Sequence, residues 1–163
     1  MSGLGFDPIA VAAQQWGKRW SAVDEMHAVT SIMRAQQLLI ARLDSLLKPH
    51  ELTFSRYEAL VLLTFSREGE LPLGKMGERL QVHATSVSSL VQRLQASGYV
   101  DRTRHPDDGR TFLAVITDKG REVVEKATAD LTRDKFGIGA LDAAQLAEVS
   151  ADLRILRQAA GDF

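Results

Sequence analysis

The 163-residue chain has no cysteine, only four prolines and few aromatics, at 6%. Without a thiol it can form no disulfide, offer no thiolate nucleophile or peroxide-sensing sulfur, and build no cysteine-based zinc site. No apolar run approaches the roughly 18–20 residues that a membrane span needs. The start, Met1 to Asp7, lacks a basic region followed by an apolar run, so no secretory signal is expected and a cytoplasmic setting is. No glycine run of the kind that cradles phosphate is present; Gly3-Leu4-Gly5 precedes no strand. His27, His50, His83 and His105 lie far apart, and only Asp108 near His105 has a ligand-like spacing, within a turn where a hydrogen bond suffices. Asp107 and Asp108 belong to that turn, Glu68 and Glu70 bracket a loop, and Ser88 and Ser89 have no partnered histidine. The expectation is a protein that is not an enzyme and carries neither metal nor cofactor.

What is present is an ordinary globular composition, 45% hydrophobic and 25% charged. A chain of this length buries roughly 68–70% of its unfolded surface on folding, enough for a real core. Its net charge of −1 does not by itself announce a polyanion partner. The distribution is uneven, however: Lys75 to Arg110 carries six cations against four carboxylates, +2, leaving −3 elsewhere.

Hydrophobic periodicity predicts helices at both ends and a change of period in the middle. A short Ala-rich helix is expected from Pro8 to Trp20. A long one follows from about Asp24 to Lys48, with Met26, Val29, Ile32, Met33, Leu39, Ile40, Leu43, Leu46 and Leu47 as one stripe ended by Pro49. Thr53 or Ser55 offers the next cap, Ser55 and Glu58 having the form of a capping box, and the helix runs through Leu60, Leu62, Leu63 and Phe65 to fade at Gly69. Leu73–Leu80 makes two turns; after the break at residues 81–84, Thr85 to Ser97 turns Val87, Leu90, Val91 and Leu94 inward, with Gly98 as the left-handed stop. The period then becomes two. Val100, Arg102 and Arg104 alternate on one strand, Phe112, Ala114 and Ile116 on the next, with an Asp-Gly turn between them. Thr117 caps another helix through Val123, Val124 and Leu131. Asp142 with Gln145 caps the last, with Leu141 and Leu146 as its staple and Leu146, Val149, Leu153 and Leu156 as its stripe. The expected fold is α+β, mostly α: a winged helix-turn-helix with N- and C-terminal dimerisation helices.

The second helix of that motif would present Thr85, Ser86, Ser88, Ser89 and Gln92 outward, small polar groups able to approach phosphates and base edges. Arg93, Arg102 and Arg104 are placed to take phosphates, and Arg110, near the hairpin tip, to enter an adjacent minor groove. A winged helix folds in about half this length. The terminal stripes are wide enough to need partners beyond one protomer, which points to a homodimer reading double-stranded DNA with its two recognition helices about one turn apart. The same residues leave open a DNA-binding regulator or architectural protein without small-molecule input, or a winged-helix protein-interaction module.

From about Asp24 onward the sequence resembles the MarR family, named for multiple antibiotic resistance. Asp107-Asp108-Gly109-Arg110 followed by Ile116-Thr117-Asp118-Lys119-Gly120 looks like the family's wing pattern, D-x-R then L-T-x-x-G, with Ile116 in place of the common Leu. Leu80-Gln81-Val82, Val87, Leu90-Val91, Arg93-Leu94 and Gly98 match its helix-turn-helix frame, with His83 and Ala84 where Ser and Pro are common. The resemblance implies that Asp108 orients Arg110 and that Arg110 is the minor-groove contact. It implies an N-terminal extension over residues 1–23, a dimerisation helix over 24–52 acting with 121–163, and a DNA-binding domain over 53–120. It also implies a repressor, released by a small aromatic carboxylate or phenol bound between the dimerisation helices and the winged helix. Trp16, Trp20, His27, Arg34, Phe54, Arg56 and Tyr57 are the candidate lining. The Trp-bearing extension and Glu58 resemble the urate-responsive branch, but Leu90 stands at the position of its pocket arginine, which argues against urate itself. Trp16 and Trp20 either line that pocket or pack the extra helix onto the core.

Overall fold

In the computed structural model, which describes residues 4–106, 108 and 110–163, seven α-helices surround a small antiparallel sheet. Asp107 and Gly109 of the expected turn, and Gly3, lie outside the described residues. Helix α1 (Pro8–Trp16) starts where Asp7 accepts a hydrogen bond from the Ile9 amide and ends at Trp16, four residues short of the expected Trp20, with Gly17 as its C-cap. Trp20 instead lies in the turn to α2 (Val23–Leu47). A 3-10 turn (Lys48–His50) containing Pro49 closes α2. Helix α3 (Phe54–Thr64) takes Thr53, the first of the two expected positions, as its N-cap residue, but the Thr53 side chain makes no capping bond and no Ser55–Glu58 box forms. Its first amide, that of Phe54, donates to Asp44 Oδ1 on α2 at 2.7 Å, so the cap comes from the neighbouring helix. Phe65, expected inside this helix, lies just past it and is exposed.

Strand β1 (Glu70–Pro72) leads into α4 (Leu73–Leu80), and α5 (Ala84–Ala96) follows after a turn in which Gln81 takes a left-handed φ of 55°. Strands β2 (Val100–Arg104) and β3 (Phe112–Ile116) form the expected hairpin, with Arg104 opposite Phe112 and Val100 opposite Ile116. The sheet order is β1-β3-β2, β1 adding a third strand that pairs Glu70 with Val115. A three-residue strand ending in proline has too little alternation to be seen in the sequence. Helix α6 (Asp118–Arg133) starts at Thr117, whose hydroxyl accepts from the Gly120 amide at 3.0 Å. After a 3-10 turn at Lys135–Gly137, α7 (Ala143–Ala159) opens with the expected box, Asp142 Oδ1 accepting from the Gln145 amide and Gln145 Oε1 from the Asp142 amide.

One core joins these elements: Leu60 and Leu63 of α3, Met76 of α4, Val87, Val91 and Leu94 of α5, Val100 and Ala114 of the hairpin, and Val124, Ala127 and Leu131 of α6. Only the last turns of α2 enter it, through Leu43 and Leu47. Polar clamps hold that end of α2 and the 3-10 turn against α6: Arg42 pairs with Asp134, and His50 Nε2 lies 2.8 Å from Asp130 Oδ2. Both carboxyls sit below the ordinary aspartate range, Asp134 through its bond from Arg42 and Asp130 through His50 and then Arg133. Upstream on α2, Val29, Ile32, Met33, Leu38 and Ile40 face outward. None of the 17 residues of α7 is buried, and Val149, Leu153, Ile155 and Leu156 are exposed.

Candidate nucleic-acid interface

The α4–turn–α5 unit is held tight by a close backbone approach. The Val82 amide donates to Gly77 O, and a Cβ at Gly77 would stand 3.2 Å from Val82 O. His83 takes the cap position of α5; its Nδ1 accepts from the Thr85 amide at 3.4 Å and lies 2.9 Å from Thr85 Oγ1. An imidazole therefore does here what a serine hydroxyl commonly does. With Val87, Val91 and Leu94 fully buried, helical periodicity turns the other positions out. Thr85, Ser86, Ser88, Ser89, Gln92 and Arg93 are all exposed on one side of α5.

The hairpin follows α5 directly in the chain. Arg102 and Arg104 project from the same face of β2, and both guanidinium groups lie over the Phe112 ring, 3.8 and 5.6 Å from its centroid. Stacking of this kind is worth about 0.5–1 kcal/mol each at an exposed site and fixes where the charge sits. At the tip, Asp108 organises the chain rather than the Arg110 guanidinium: Oδ1 accepts from the Arg110 amide at 3.0 Å and Oδ2 from the Thr111 hydroxyl at 2.7 Å. These bonds, the Thr111 hydroxyl first, hold the Asp108 carboxyl below its ordinary value. The Arg110 side chain is exposed, with no ion pair among the described residues. A carboxylate with a lowered pKa contributes fully above its unfolded value, about 3.9, and loses that contribution as pH falls through the lowered one. The wing tip should therefore be intact at neutral pH and loosen only below about pH 4. Asp108→Ala should bring that looseness to neutral pH, seen as faster hydrogen exchange at the Thr111 amide. Unchanged exchange would mean that the backbone bonds alone hold the turn.

The seven residues expected to line a ligand pocket do not converge. Trp16 and Trp20 pack on each other, with centroids 4.8 Å apart, and Trp16 Nε1 donates to Ser21 O, which ties down the α1–α2 turn. His27 is half-buried near the start of α2. Tyr57 is buried, its hydroxyl 2.9 Å from Thr128 Oγ1, and Phe54 stacks beside it against the core. Arg34 borders a groove of about 780 Å³ between the N-terminal segment and mid-α2, walled by Leu4, Phe6, Ile9, Met33 and Leu38. Arg56 alone borders the inner cleft of about 680 Å³ where α2 meets the winged helix, with Asp44, Ser45, Lys48, Glu51 and Ser97. Lys48 and Ser97 carried no sequence signal, because nothing in local spacing brings residue 97 to the end of α2. Among the described residues no group of three His, Asp or Glu side chains could hold a metal, and no helix is long and apolar enough to cross a membrane.

A helix-turn-helix followed at once by a two-stranded wing, polar and arginine-bearing, defines the winged helix-turn-helix class of DNA-binding proteins. A MarR family model matches residues 50–111. Sco5413, a MarR family transcriptional regulator from Streptomyces coelicolor, is 59% identical, the alignment covering 87% of this chain and 99% of that one with a TM-score of 0.81. The chain thus belongs to the MarR family of transcriptional regulators. Sco3205 from the same organism, solved in complex with DNA, is 26% identical over 86% of this chain and 90% of that one, with a TM-score of 0.78. The HTH-type transcriptional regulator TtmR of Methylorubrum extorquens is 43% identical over 77 residues, 47% of this chain and 38% of that protein. The chain spans about half the length of the curated relatives it matches.

Proposed function

We propose that this regulator works as a homodimeric repressor on a pseudo-palindromic operator, with α5 of each protomer in the major groove and Arg110 in the flanking minor groove. The observation that carries this is the exposed six-residue polar face of α5 together with an exposed wing arginine. Small hydroxyl and amide groups let the helix seat deeply, where bulky ones would hold it off. Arrangement as a dimer draws on the exposed apolar faces of α2 and α7. Arg102 and Arg104, fixed over Phe112, serve as phosphate contacts, and the DNA complex of Sco3205 supports the partner.

The inner cleft beside Arg56 and Lys48 is the proposed seat of a small aromatic or phenolic acid that releases the DNA. Binding there favours a dimer whose recognition helices no longer match the operator, and the coupling must be reciprocal. The protein acts by binding in the cytoplasm rather than by catalysis.

Selection of bound duplexes from a randomised pool at 0.15 M salt tests the reading. An inverted repeat with half-sites about 34–36 Å apart is expected. No enrichment, or an asymmetric single site, would overturn the dimeric regulator. Arg110→Ala should cost about 1–3 kcal/mol in affinity for the selected site with the melting temperature unchanged. Equal affinity in the variant would remove the wing contact.

A further inference from the structure

A second cleft, of about 580 Å³, opens on the outer side of the winged helix between the start of α3 and the exposed face of α5. From α3 and its N-cap it takes Thr53, Ser55 and Arg56; from α5 it takes Thr85, Ser86, Ser89, Leu90 and Arg93, with Val82 completing it. We propose that this cleft grips a backbone phosphate of the bound DNA between Arg56 and Arg93, so that α5 is divided lengthwise into a row that holds the duplex and a row that reads it. The proposal rests on the DNA-binding reading above and extends the interface to α3.

Three observations support it. First, the lining carries two cations and five hydroxyl groups but no carboxylate, which is the chemistry of a site for a phosphate oxygen rather than for a neutral or cationic group. Second, neither arginine has an ion pair among the described residues, so their charge is not already compensated. Arg56 is nonetheless held in place by neutral partners, Nε donating to Thr53 Oγ1 at 3.3 Å and Nη1 to Glu51 O at 2.9 Å. A planar fork oriented without being neutralised is preorganised for an anion. Third, the cleft sorts the exposed residues of α5. Ser86, Ser89 and Arg93, spaced i, i+3, i+7, line it, whereas Ser88 and Gln92 are exposed but lie outside it. The first row is therefore the positioning row, and Ser88 with Gln92 is left to meet base edges.

The test compares affinities of the full chain for the selected operator and for an unrelated duplex of equal length, across a salt series. Arg56→Gln and Arg93→Gln should each weaken binding to both duplexes by the same factor. Each should also lower the slope of log K against log salt by about 0.9, the value of one released phosphate counterion. Gln92→Ala should instead lower the operator-to-unrelated ratio and leave the slope alone. Arg93 is exposed and outside the core, so its variant keeps the test valid even if Arg56→Gln loosens the start of α3; melting temperatures of both report this directly. Unchanged slopes in both arginine variants, with Arg110→Ala still weakening the operator complex, would overturn the phosphate cleft while leaving DNA binding in place. A wild-type protein with no salt-dependent DNA binding would overturn both.

Discussion

Leu153→Asp combined with Leu156→Asp should leave the protein monomeric at micromolar concentration. Helix α7 contributes no buried residue to its own protomer, and Leu156 is 54% exposed and Ile155 64%. An apolar stripe of this kind on a 17-residue helix calls for a covering surface, and in the proposed dimer the outward Val29, Ile32, Met33 and Ile40 of α2 in the second copy supply it. Two-fold symmetry counts each substitution twice. Four leucines at about 1.5–3 kcal/mol each set an upper bound of roughly 6–12 kcal/mol. Half of the lower figure already moves the dissociation constant by about two powers of ten. Sedimentation equilibrium checks the mass, and operator affinity should fall to that of a single half-site. A variant that remains dimeric would place the interface elsewhere, and a monomeric wild type would end the dimer model.

Gly120→Ala should cost about 3 kcal/mol, the upper end for overpacking. A Cβ at this position would overlap the Tyr99 carbonyl oxygen and stand 2.8 Å from Ile116 Cγ1, and a backbone oxygen cannot swing aside as a flexible side-chain end can. At roughly 2–4 °C per kcal/mol for a chain of this size, the melting temperature should fall by ~6–12 °C at fixed protein concentration. Gly74→Ala is the matched control. It lies in α4 with nothing within 4 Å of its Cβ position, so alanine should add about 0.5–1 kcal/mol of helix propensity. Equal melting temperatures for wild type and Gly120→Ala would show that the Tyr99 carbonyl gives way.

The contrast between these two glycines shows where sequence reasoning stops. Periodicity placed α5 and the hairpin because Val87, Val91 and Leu94 and the Val100–Arg104 alternation are local patterns, each decided within a dozen residues. The same logic turned Thr85, Ser86, Ser88, Ser89 and Gln92 outward, and all five are exposed, as is Arg93. What local pattern does not carry is which neighbour answers a given group. Asp44, ten residues upstream on another helix, caps α3 where Ser55 had the right spacing, and Tyr57 finds Thr128 rather than a ligand cleft. The α2 stripe is visible in the sequence, but only its last turns meet the core; upstream, Val29, Ile32, Met33 and Ile40 are exposed. The clefts were hardest, because their walls join residues 41–56 with 97, or 53–56 with 82–93.

One junction has a mechanical meaning. Thr117 alone separates the wing from α6, and its amide donates to Tyr99 O while its hydroxyl donates to Gly98 O. Together with the Gly120 contact, this rivets the near end of α6 to the hairpin root, while Arg42–Asp134 and His50–Asp130 rivet its far end to α2 and the turn that follows it. Helix α6 is thus a stiff shaft of 16 residues, about 24 Å long, with a bearing at each end and no flexible coupling between. A tilt of ~5° at one bearing displaces the other by ~2 Å over that length, comparable to the difference between a side chain that reaches a groove and one that misses it.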